Sequence, residues 1–229
     1  MPFALFGYYA ILDLPGEKLE DPPVVLARAE ARLAARPACL QLRAKHMREV
    51  DLRRTAALLL PACRAAGVAF CVNDRLDVAL AAGADGVHLG QNDWPLADAL
   101  QIRPSRQFFI GISTHDLAQA QAAARGGADY IGFGPIFATQ TKADAEAAVG
   151  LDCLREVCAA VSLPVVAIGG ITLANVEAVA SAGAAAAAVI AAIDKASDPM
   201  AAARRIAEAF ATRAPCRPGA SSPKTWPIF

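Results

Sequence analysis

The chain has 229 residues, 55% of them hydrophobic and 19% charged, and its 22 basic and 22 acidic side chains give a formal net charge of zero. This composition excludes intrinsic disorder for most of the chain. The balanced charge argues against a nucleic-acid partner, which needs a basic face. The longest apolar stretch, 182–193, is too short to span a bilayer, and the first residues lack the basic region and cleavage site of a signal peptide. We therefore expect a cytoplasmic protein with no membrane partner.

Short apolar segments alternate along the chain with longer, alanine-rich amphipathic segments. Most of the short segments lack polar alternation, which is typical of strands buried on both faces of a parallel sheet. The predicted strands are Tyr8–Asp13, Cys39–Arg43, Ala69–Asn73, Gly86–Leu89, Phe108–Ser113, Tyr130–Gly134, Pro164–Ile168 and Ala185–Ile190. The predicted helices lie near Pro23–Ala35, Val50–Ala66, Arg75–Ala82, Pro95–Ile102, Asp116–Arg125, Leu151–Ala160, Asn175–Ala182 and Pro199–Ala211.

This alternation predicts an α/β fold. Eight strands, each followed by a helix, in about 210 residues fit a single (β/α)8 TIM barrel with parallel strands and an outer ring of helices. An open doubly wound sheet is disfavoured because no G-x-G-x-x-G follows the first strand. We predict a barrel domain over residues 1–213. Residues 214–229 are rich in proline, serine and glycine and are predicted to form a flexible C-terminal tail.

Polar and charged residues concentrate at the predicted carboxyl ends of the strands, where barrels of this type carry their chemistry. Arg43, Lys45 and Lys142 would place three cations around one rim, an arrangement that suits a multiply charged anion. Asp74 and Asp93 follow neighbouring strands, and two facing carboxylates repel unless a proton or a cation lies between them. Oxygen ligands without a histidine or cysteine set favour Mg²⁺. Together these residues predict a diphosphate held with magnesium.

Each of these residues also has a plainer interpretation. Asp74 and Asp93 could each cap the helix that follows. The three cations, taken singly, would more often be solvated surface charges. Their shared position at the strand ends favours the binding interpretation.

Three further strand ends carry candidate groups. Gly111-x-Ser113-x-His115 lacks the closing glycine of a nucleophile elbow, which favours Ser113 as a donor to phosphate. His88 suits a packed core position and a hydrogen bond in a pocket equally well. Gly169-Gly170 suits either a tight turn or a pair of amide donors to phosphate.

The chain resembles the thiamine phosphate synthase family in segments that run in order from about Tyr8 to Ile193. They are YYAILD, QLRAK, VNDRLDVALAAGADGVHLGQND, GISTH, GADYIGFGPIFATQTK, VVAIGGITLANV and AVIAAI. The resemblance implies a transferase of thiamine biosynthesis that uses magnesium. Its small-molecule substrates would be an aminopyrimidine methyl diphosphate and a thiazole phosphate, carboxylated or not. Its products would be thiamine phosphate and diphosphate.

The resemblance also implies site residues, position by position. The residues implied to hold the pyrimidine diphosphate are Gln41, Arg43, Lys45, Asn73, Ser113 and Lys142, of which all but Gln41 are also implied as catalytic. His88 matches a residue near the pyrimidine, and Asp74 and Asp93 match the magnesium ligands. The residues implied for the thiazole phosphate are Thr139, Gln140, Thr141, Gly170, Ile190 and Ala191. Ala191 stands where the family typically has serine, which removes one hydroxyl and leaves the backbone N–H.

Two other functions compete with this one. A thiazole tautomerase of the same superfamily would use a histidine near the fifth strand end, where His115 stands. An inactive barrel that binds phosphorylated ligands would have little need for a metal pair. The retained carboxylates and cations favour the synthase. The oligomeric state, including a homo-oligomer, stays open.

Overall fold

The structure is a computed structural model that describes residues 5–139 and 147–211, together with the backbone of residues 2–3 and 226–227. Eight parallel strands form a closed barrel in chain order, so the predicted (β/α)8 barrel is confirmed. The strands are β1 (Gly7–Asp13), β2 (Cys39–Arg43), β3 (Ala69–Asn73), β4 (Gly86–Leu89), β5 (Phe109–Thr114), β6 (Tyr130–Phe133), β7 (Val165–Ile168) and β8 (Ala186–Val189). Strand β8 pairs with β1 and closes the barrel, with Gly7 opposite Ala186.

Helices surround the barrel. They are α1 (Pro22–Leu33), α2 (Glu49–Ala66), α3 (Leu76–Ala82), α4 (Leu96–Ile102), α5 (Leu117–Gly126), α6 (Gly150–Ala160), α7 (Val176–Ser181), α8 (Ala191–Asp194) and α9 (Pro199–Ala211). The four-residue helix α8 was not expected from the sequence. No helix in the described part of the chain is both long and apolar enough to cross a membrane.

The ends of the helices follow from local sequence. Gly67 and Gly83 end α2 and α3 with φ angles of 65° and 69°, in the left-handed region that glycine enters without a steric penalty. Asp198 precedes α9, and its Oδ1 accepts a hydrogen bond from the Ala201 N–H at 3.0 Å. These contacts set where each helix begins or ends relative to the strand ends.

The backbone of Pro2–Phe3 pairs in an antiparallel manner with Trp226–Pro227. Residues 212–225 lie outside the described part of the chain. The predicted boundary at residue 213 and the predicted flexibility of the tail stay predictions.

The barrel wall has two faces because successive side chains of a strand point to opposite sides. Outward-facing residues such as Tyr8, Leu40 and Phe70 pack against the helices in one large apolar cluster. Inward-facing residues form a second cluster inside the barrel: Tyr9, Ile11, Cys39, Ala69, Cys71, Phe109, Tyr130, Val166, Ala186 and Ala188. We call this second cluster the inner floor, because it fills the barrel beneath the carboxyl ends of the strands.

Glycine makes room for the aromatic rings of the inner floor. A Cβ atom at Gly111 would lie 2.1 Å from Cζ of Tyr130, which is far inside van der Waals contact. The Tyr130 ring therefore occupies space that any other residue at position 111 would fill. The result is a closed interior with an open polar rim above it.

Candidate active site

A cavity of about 1520 Å³ opens at the carboxyl ends of the barrel strands. Most of the site residues predicted from the sequence line it. They are Arg43, Lys45, Asn73, Asp74, Asp93, Ser113, Thr139, Gly170, Ile190 and Ala191. The strand ends therefore bring these residues together, as expected for a barrel.

The other predicted residues have different positions. Gln41 and His88 lie beneath the cavity and are only 3% and 9% exposed. Gln140, Thr141 and Lys142 lie outside the described residues, so the roles implied for them stay predictions.

Two acidic side chains face the cavity from the ends of β3 and β4. Asp74 has a φ of 65°, and its backbone N–H donates to the His88 carbonyl at 2.8 Å. Asp93 accepts a hydrogen bond at Oδ2 from the Gly90 N–H at 2.6 Å. The alternative of helix capping does not hold, because the N-cap residues of α3 and α4 are Arg75 and Pro95.

The two carboxylates interact strongly. Burial raises the pKa of Asp74 to about 7, and the negative charge of Asp93 and a hydrogen bond with it act in the same direction. Lys45 and Arg43 oppose this shift because they are positive. A bound divalent cation would offset the repulsion between the two carboxylates.

The donor set also fits magnesium. Within the described residues, no group of three or more histidine, cysteine, aspartate or glutamate side chains is placed to hold a metal. Mg²⁺ binds through one or two carboxylates and fills its remaining positions with water and substrate phosphate oxygens. Two aspartates beside an open cavity meet that requirement, whereas a zinc site would need more protein ligands.

Arg43, one of the three predicted cations, forms an ion pair with Asp13. Arg43 is 8% exposed, and its Nη1 donates to Oδ1 of Asp13 at 2.6 Å. Asp13 lies opposite Arg43 in the register of β1 and β2. Sequence reasoning missed Asp13, and the register between these two strands is the observation that would have found it.

A chain of hydrogen bonds crosses the barrel between the inner floor and the cavity. Gln41 Nε2 donates to the Tyr9 hydroxyl at 3.0 Å, and that hydroxyl lies 2.8 Å from the Tyr130 hydroxyl. The Tyr130 hydroxyl lies 2.9 Å from His88 Nδ1, and His88 Nε2 lies 2.9 Å from Ser113 Oγ. We call these five residues the inner chain. His88 is therefore both buried and hydrogen-bonded, and it connects directly to a cavity residue.

The opposite wall of the cavity is formed mainly by backbone segments that pack closely against each other. Gly170 has a φ of 62°, and a Cβ atom there would lie 2.6 Å from the Ala138 carbonyl oxygen. Ile190 and Ala191 come from the junction of β8 and α8. Thr139 lies at the described end of the loop after β6. This wall offers mainly backbone groups, whereas the wall with Arg43 and the two aspartates offers charge.

His115 also lines the cavity. Its Nδ1 lies 2.7 Å from the Gly134 carbonyl oxygen in the loop after β6. This contact ties the end of β5 to the neighbouring loop. The histidine that a tautomerase would use is therefore present at the rim of the cavity.

Comparison with known proteins places this barrel in a family. The sequence profile described as Thiamine monophosphate synthase matches residues 16–193. The chain belongs to the thiamine monophosphate synthase family. The match includes the strand ends that contribute Arg43, Asp74, Asp93 and Ser113 to the cavity.

Curated relatives in the family are similar over most of their length. The thiamine-phosphate synthase of Coprothermobacter proteolyticus is 44% identical over 200 residues, covering 87% of this chain and 92% of its own. That of Methanoculleus marisnigri is 50% identical over 183 residues, covering 79% of this chain and 86% of its own.

A solved structure of the same family agrees. The thiamine phosphate pyrophosphorylase from Pyrococcus furiosus superposes with a TM-score of 0.79 at 33% identity, covering 90% of this chain and 96% of that one. A 3-hexulose-6-phosphate synthase superposes with a TM-score of 0.64 at 20% identity, which reflects the shared barrel fold alone.

Proposed function

We propose that this chain is a thiamine phosphate synthase, a transferase that joins an aminopyrimidine methyl diphosphate to a thiazole phosphate. The products are thiamine phosphate and diphosphate. Membership of the family and relatives at 44–50% identity support this activity. The structural observation that carries it is the gathering of Arg43, Lys45 and two facing aspartates on one wall of the cavity.

The chemistry depends on the departure of diphosphate. Electron release from the ring amine stabilises an aminopyrimidine methyl cation, so the carbon–oxygen bond can ionise before the thiazole attacks. The enzyme must then stabilise the negative charge that develops on the leaving group. Arg43, Lys45 and Lys142 supply positive charge, and Asn73 and Ser113 supply hydrogen-bond donors.

Asp74 and Asp93 would hold Mg²⁺ at the same wall. When bound there, the metal supplies Lewis-acid stabilisation of the diphosphate oxygens without a proton transfer. The facing carboxylates of Asp74 and Asp93 support this assignment, because burial and the charge of Asp93 raise the pKa of Asp74 and so disfavour two bare negative charges here. The protein would bind the metal most strongly together with the substrate, because it provides only part of the coordination shell.

The remaining residues position the two organic substrates. Gln41 and His88 lie beneath the cavity. We assign them to the floor on which the pyrimidine ring would rest. Of the residues assigned to the thiazole phosphate, Thr139, Gly170, Ile190 and Ala191 line the cavity. We assign Gln140 and Thr141 the same role from the family resemblance. Holding the thiazole nitrogen beside the cationic carbon converts the attack into an effectively intramolecular step. The reaction requires no general base.

We place the enzyme in the cytoplasm with small-molecule partners, and we assign it neither a nucleic-acid nor a membrane partner. Its zero net charge argues against a nucleic-acid partner. Whether the chain forms a homo-oligomer stays open, and light scattering of the purified chain would measure it.

One assay separates the synthase from its two rivals. Purified chain is incubated with both substrates and Mg²⁺, with each component omitted in turn, and thiamine phosphate is measured. The synthase requires both substrates. A tautomerase would instead interconvert thiazole carboxylate phosphates in the absence of the pyrimidine, and an inactive barrel would bind ligand without product. Absence of thiamine phosphate from the complete mixture would refute the proposal.

A further inference from the structure

The inner chain has a direction that its first member sets. An amide nitrogen only donates, so the Gln41 Nε2 hydrogen bond leaves the Tyr9 hydroxyl as acceptor at 3.0 Å. The single hydroxyl hydrogen of Tyr9 then points to the Tyr130 oxygen at 2.8 Å. The Cys39 thiol also lies within hydrogen-bonding reach of the Tyr9 hydroxyl, but sulfur is a weak acceptor, so the Tyr130 oxygen is the preferred partner.

The same reasoning applies to the next two members of the inner chain, Tyr130 and His88. Because the Tyr130 oxygen accepts from Tyr9, its own hydrogen is directed to His88 Nδ1 at 2.9 Å, a stronger acceptor than the Cys71 thiol that also lies within reach. An imidazole nitrogen that accepts a hydrogen bond carries no hydrogen, so the neutral ring has its hydrogen on Nε2. That N–H donates to Ser113 Oγ at 2.9 Å. The Ser113 hydroxyl hydrogen remains directed at the cavity, which Ser113 lines.

We infer that Tyr9 and Tyr130 are positioning residues, which act through His88 to make the Ser113 hydroxyl a hydrogen-bond donor to whatever occupies the cavity. A donor at this position suits a phosphate oxygen, which only accepts. The catalytic consequence rests on the proposed function, in which Ser113 meets the departing diphosphate. The hydrogen positions themselves do not depend on it.

Packing holds the members of the inner chain in place. The Tyr130 ring is fully enclosed, and its centroid lies 5.8 Å from that of Tyr9 and 5.4 Å from that of His88. A Cβ atom at Gly132 would lie 3.0 Å from Cε1 of His88, so the imidazole fills the space that this glycine leaves. Rings fixed in this way cannot swing to other partners without displacing their neighbours.

Burial also keeps both phenols protonated. It raises the pKa of Tyr9 and of Tyr130 well above the ordinary value of tyrosine, with neighbouring cysteines acting in the same direction. Each hydroxyl therefore retains the hydrogen that it donates within the inner chain.

The test reads the histidine tautomer directly. The chain has three histidines, so ¹⁵N-histidine labelling gives three imidazole spin systems, and a His88→Gln variant identifies the signal of His88. We expect His88 of the full-length, ligand-free protein to carry its hydrogen on Nε2 at about pH 8, well above the ordinary pKa of histidine. In Tyr130→Phe the acceptor Nδ1 loses its partner, and we expect a mixture of tautomers.

A second, kinetic test compares Tyr130 and Tyr9 of the inner chain with Tyr8, the neighbour of Tyr9 on β1. Loss of one ordered hydrogen bond predicts that kcat falls between about 2-fold and 10-fold in Tyr130→Phe and Tyr9→Phe, with little change in KM. Tyr8→Phe is the matched control, because within the described residues the Tyr8 hydroxyl is buried without a hydrogen-bond partner. We expect it to retain the parent kcat.

Either of two results overturns the inference. One is a His88 in the parent protein with its hydrogen on Nδ1 or on both nitrogens, which needs only the His88→Gln variant to assign the signal. The other is a folded Tyr130→Phe that keeps the parent kcat. Failure of the proposed function is a separate outcome, since it would appear as a parent protein without product while the tautomer of His88 could still be measured.

Discussion

Tyr8 and Tyr9 are neighbours on β1, yet they occupy opposite faces of the barrel wall. Tyr8 packs among the helices, and in the described part of the chain its hydroxyl has no hydrogen-bond partner. Tyr9 points inward and joins the inner chain through Gln41 and Tyr130. The same residue type therefore serves packing on one face and polar order on the other. The outer face supplies stability, whereas the carboxyl ends of the inner face supply the chemistry.

The largest effect on activity is expected from removing the charge of one carboxylate at the rim, which should leave the stability supplied by the outer face intact. Asp74→Asn and Asp93→Asn keep the size of the side chain, and asparagine tolerates the left-handed backbone of position 74. We expect turnover to fall by roughly 100-fold to 10,000-fold at saturating magnesium, because the leaving diphosphate loses its metal-based stabilisation. Steady-state kinetics measures this loss.

The matched control for those variants is Asp98→Asn, an exposed aspartate in the first turn of α4 that does not line the cavity. It removes the same charge and should leave turnover unchanged. The melting temperatures of Asp74→Asn and Asp93→Asn should stay close to that of the parent. Near-parent turnover in both rim variants would refute the metal assignment.

A core substitution on the outer face should lower the stability of the protein and leave substrate binding unchanged. Phe70 is completely buried between β3 and the helices. Phe70→Ala leaves a cavity and should lower the free energy of unfolding by about 3–5 kcal/mol, as measured by urea denaturation. The folded fraction should retain the parent KM for both substrates. A large change in KM with little loss of stability would show that the two faces are not separable.

The two adjacent tyrosines sharpen the comparison at the scale of single hydroxyl groups. Tyr9→Phe leaves Gln41 and Tyr130 without a shared partner and should lower the free energy of unfolding by about 1–3 kcal/mol. Tyr8→Phe removes a buried hydroxyl that makes no hydrogen bond to any described residue, and it should leave stability equal or higher. Thermal unfolding of the two variants side by side decides this, and equal losses would contradict it.

The smallest effect is expected on the backbone-rich wall. Ala191→Ser restores a hydroxyl at the start of α8, where one additional hydrogen bond contributes roughly 0.5–1.5 kcal/mol. The KM for thiazole phosphate should fall by about tenfold at most. An unchanged or higher KM would indicate that the thiazole phosphate does not reach this residue.

The sequence predicted the outer face of the barrel better than the inner one. Continuous apolar segments such as Ala69–Asn73 revealed buried parallel strands, and most of the site residues predicted at their carboxyl ends do line the cavity. Local chemistry was sufficient there, because both the strands and the polar residues that follow them are contiguous in sequence. The existence of a shared rim then followed from the fold.

The inner chain could not be predicted in the same way. Tyr9 and Tyr130 meet although 121 residues separate them, and their contact requires closure of the barrel in one register. The ion pair between Asp13 and Arg43 likewise depends on the register of two strands. A single tyrosine in an apolar strand is indistinguishable from core packing until its partner across the barrel is known.

The most direct test of the account follows both phosphorus-containing products in one tube by ³¹P NMR. The parent protein, supplied with aminopyrimidine methyl diphosphate, thiazole phosphate and Mg²⁺, should form thiamine phosphate and diphosphate in equal amounts, and Asp93→Asn should form almost none in the same time. Release of diphosphate while the thiazole phosphate is not consumed, or equal rates for parent and variant, would contradict the central claim that the rim carboxylates serve the joining of these two substrates.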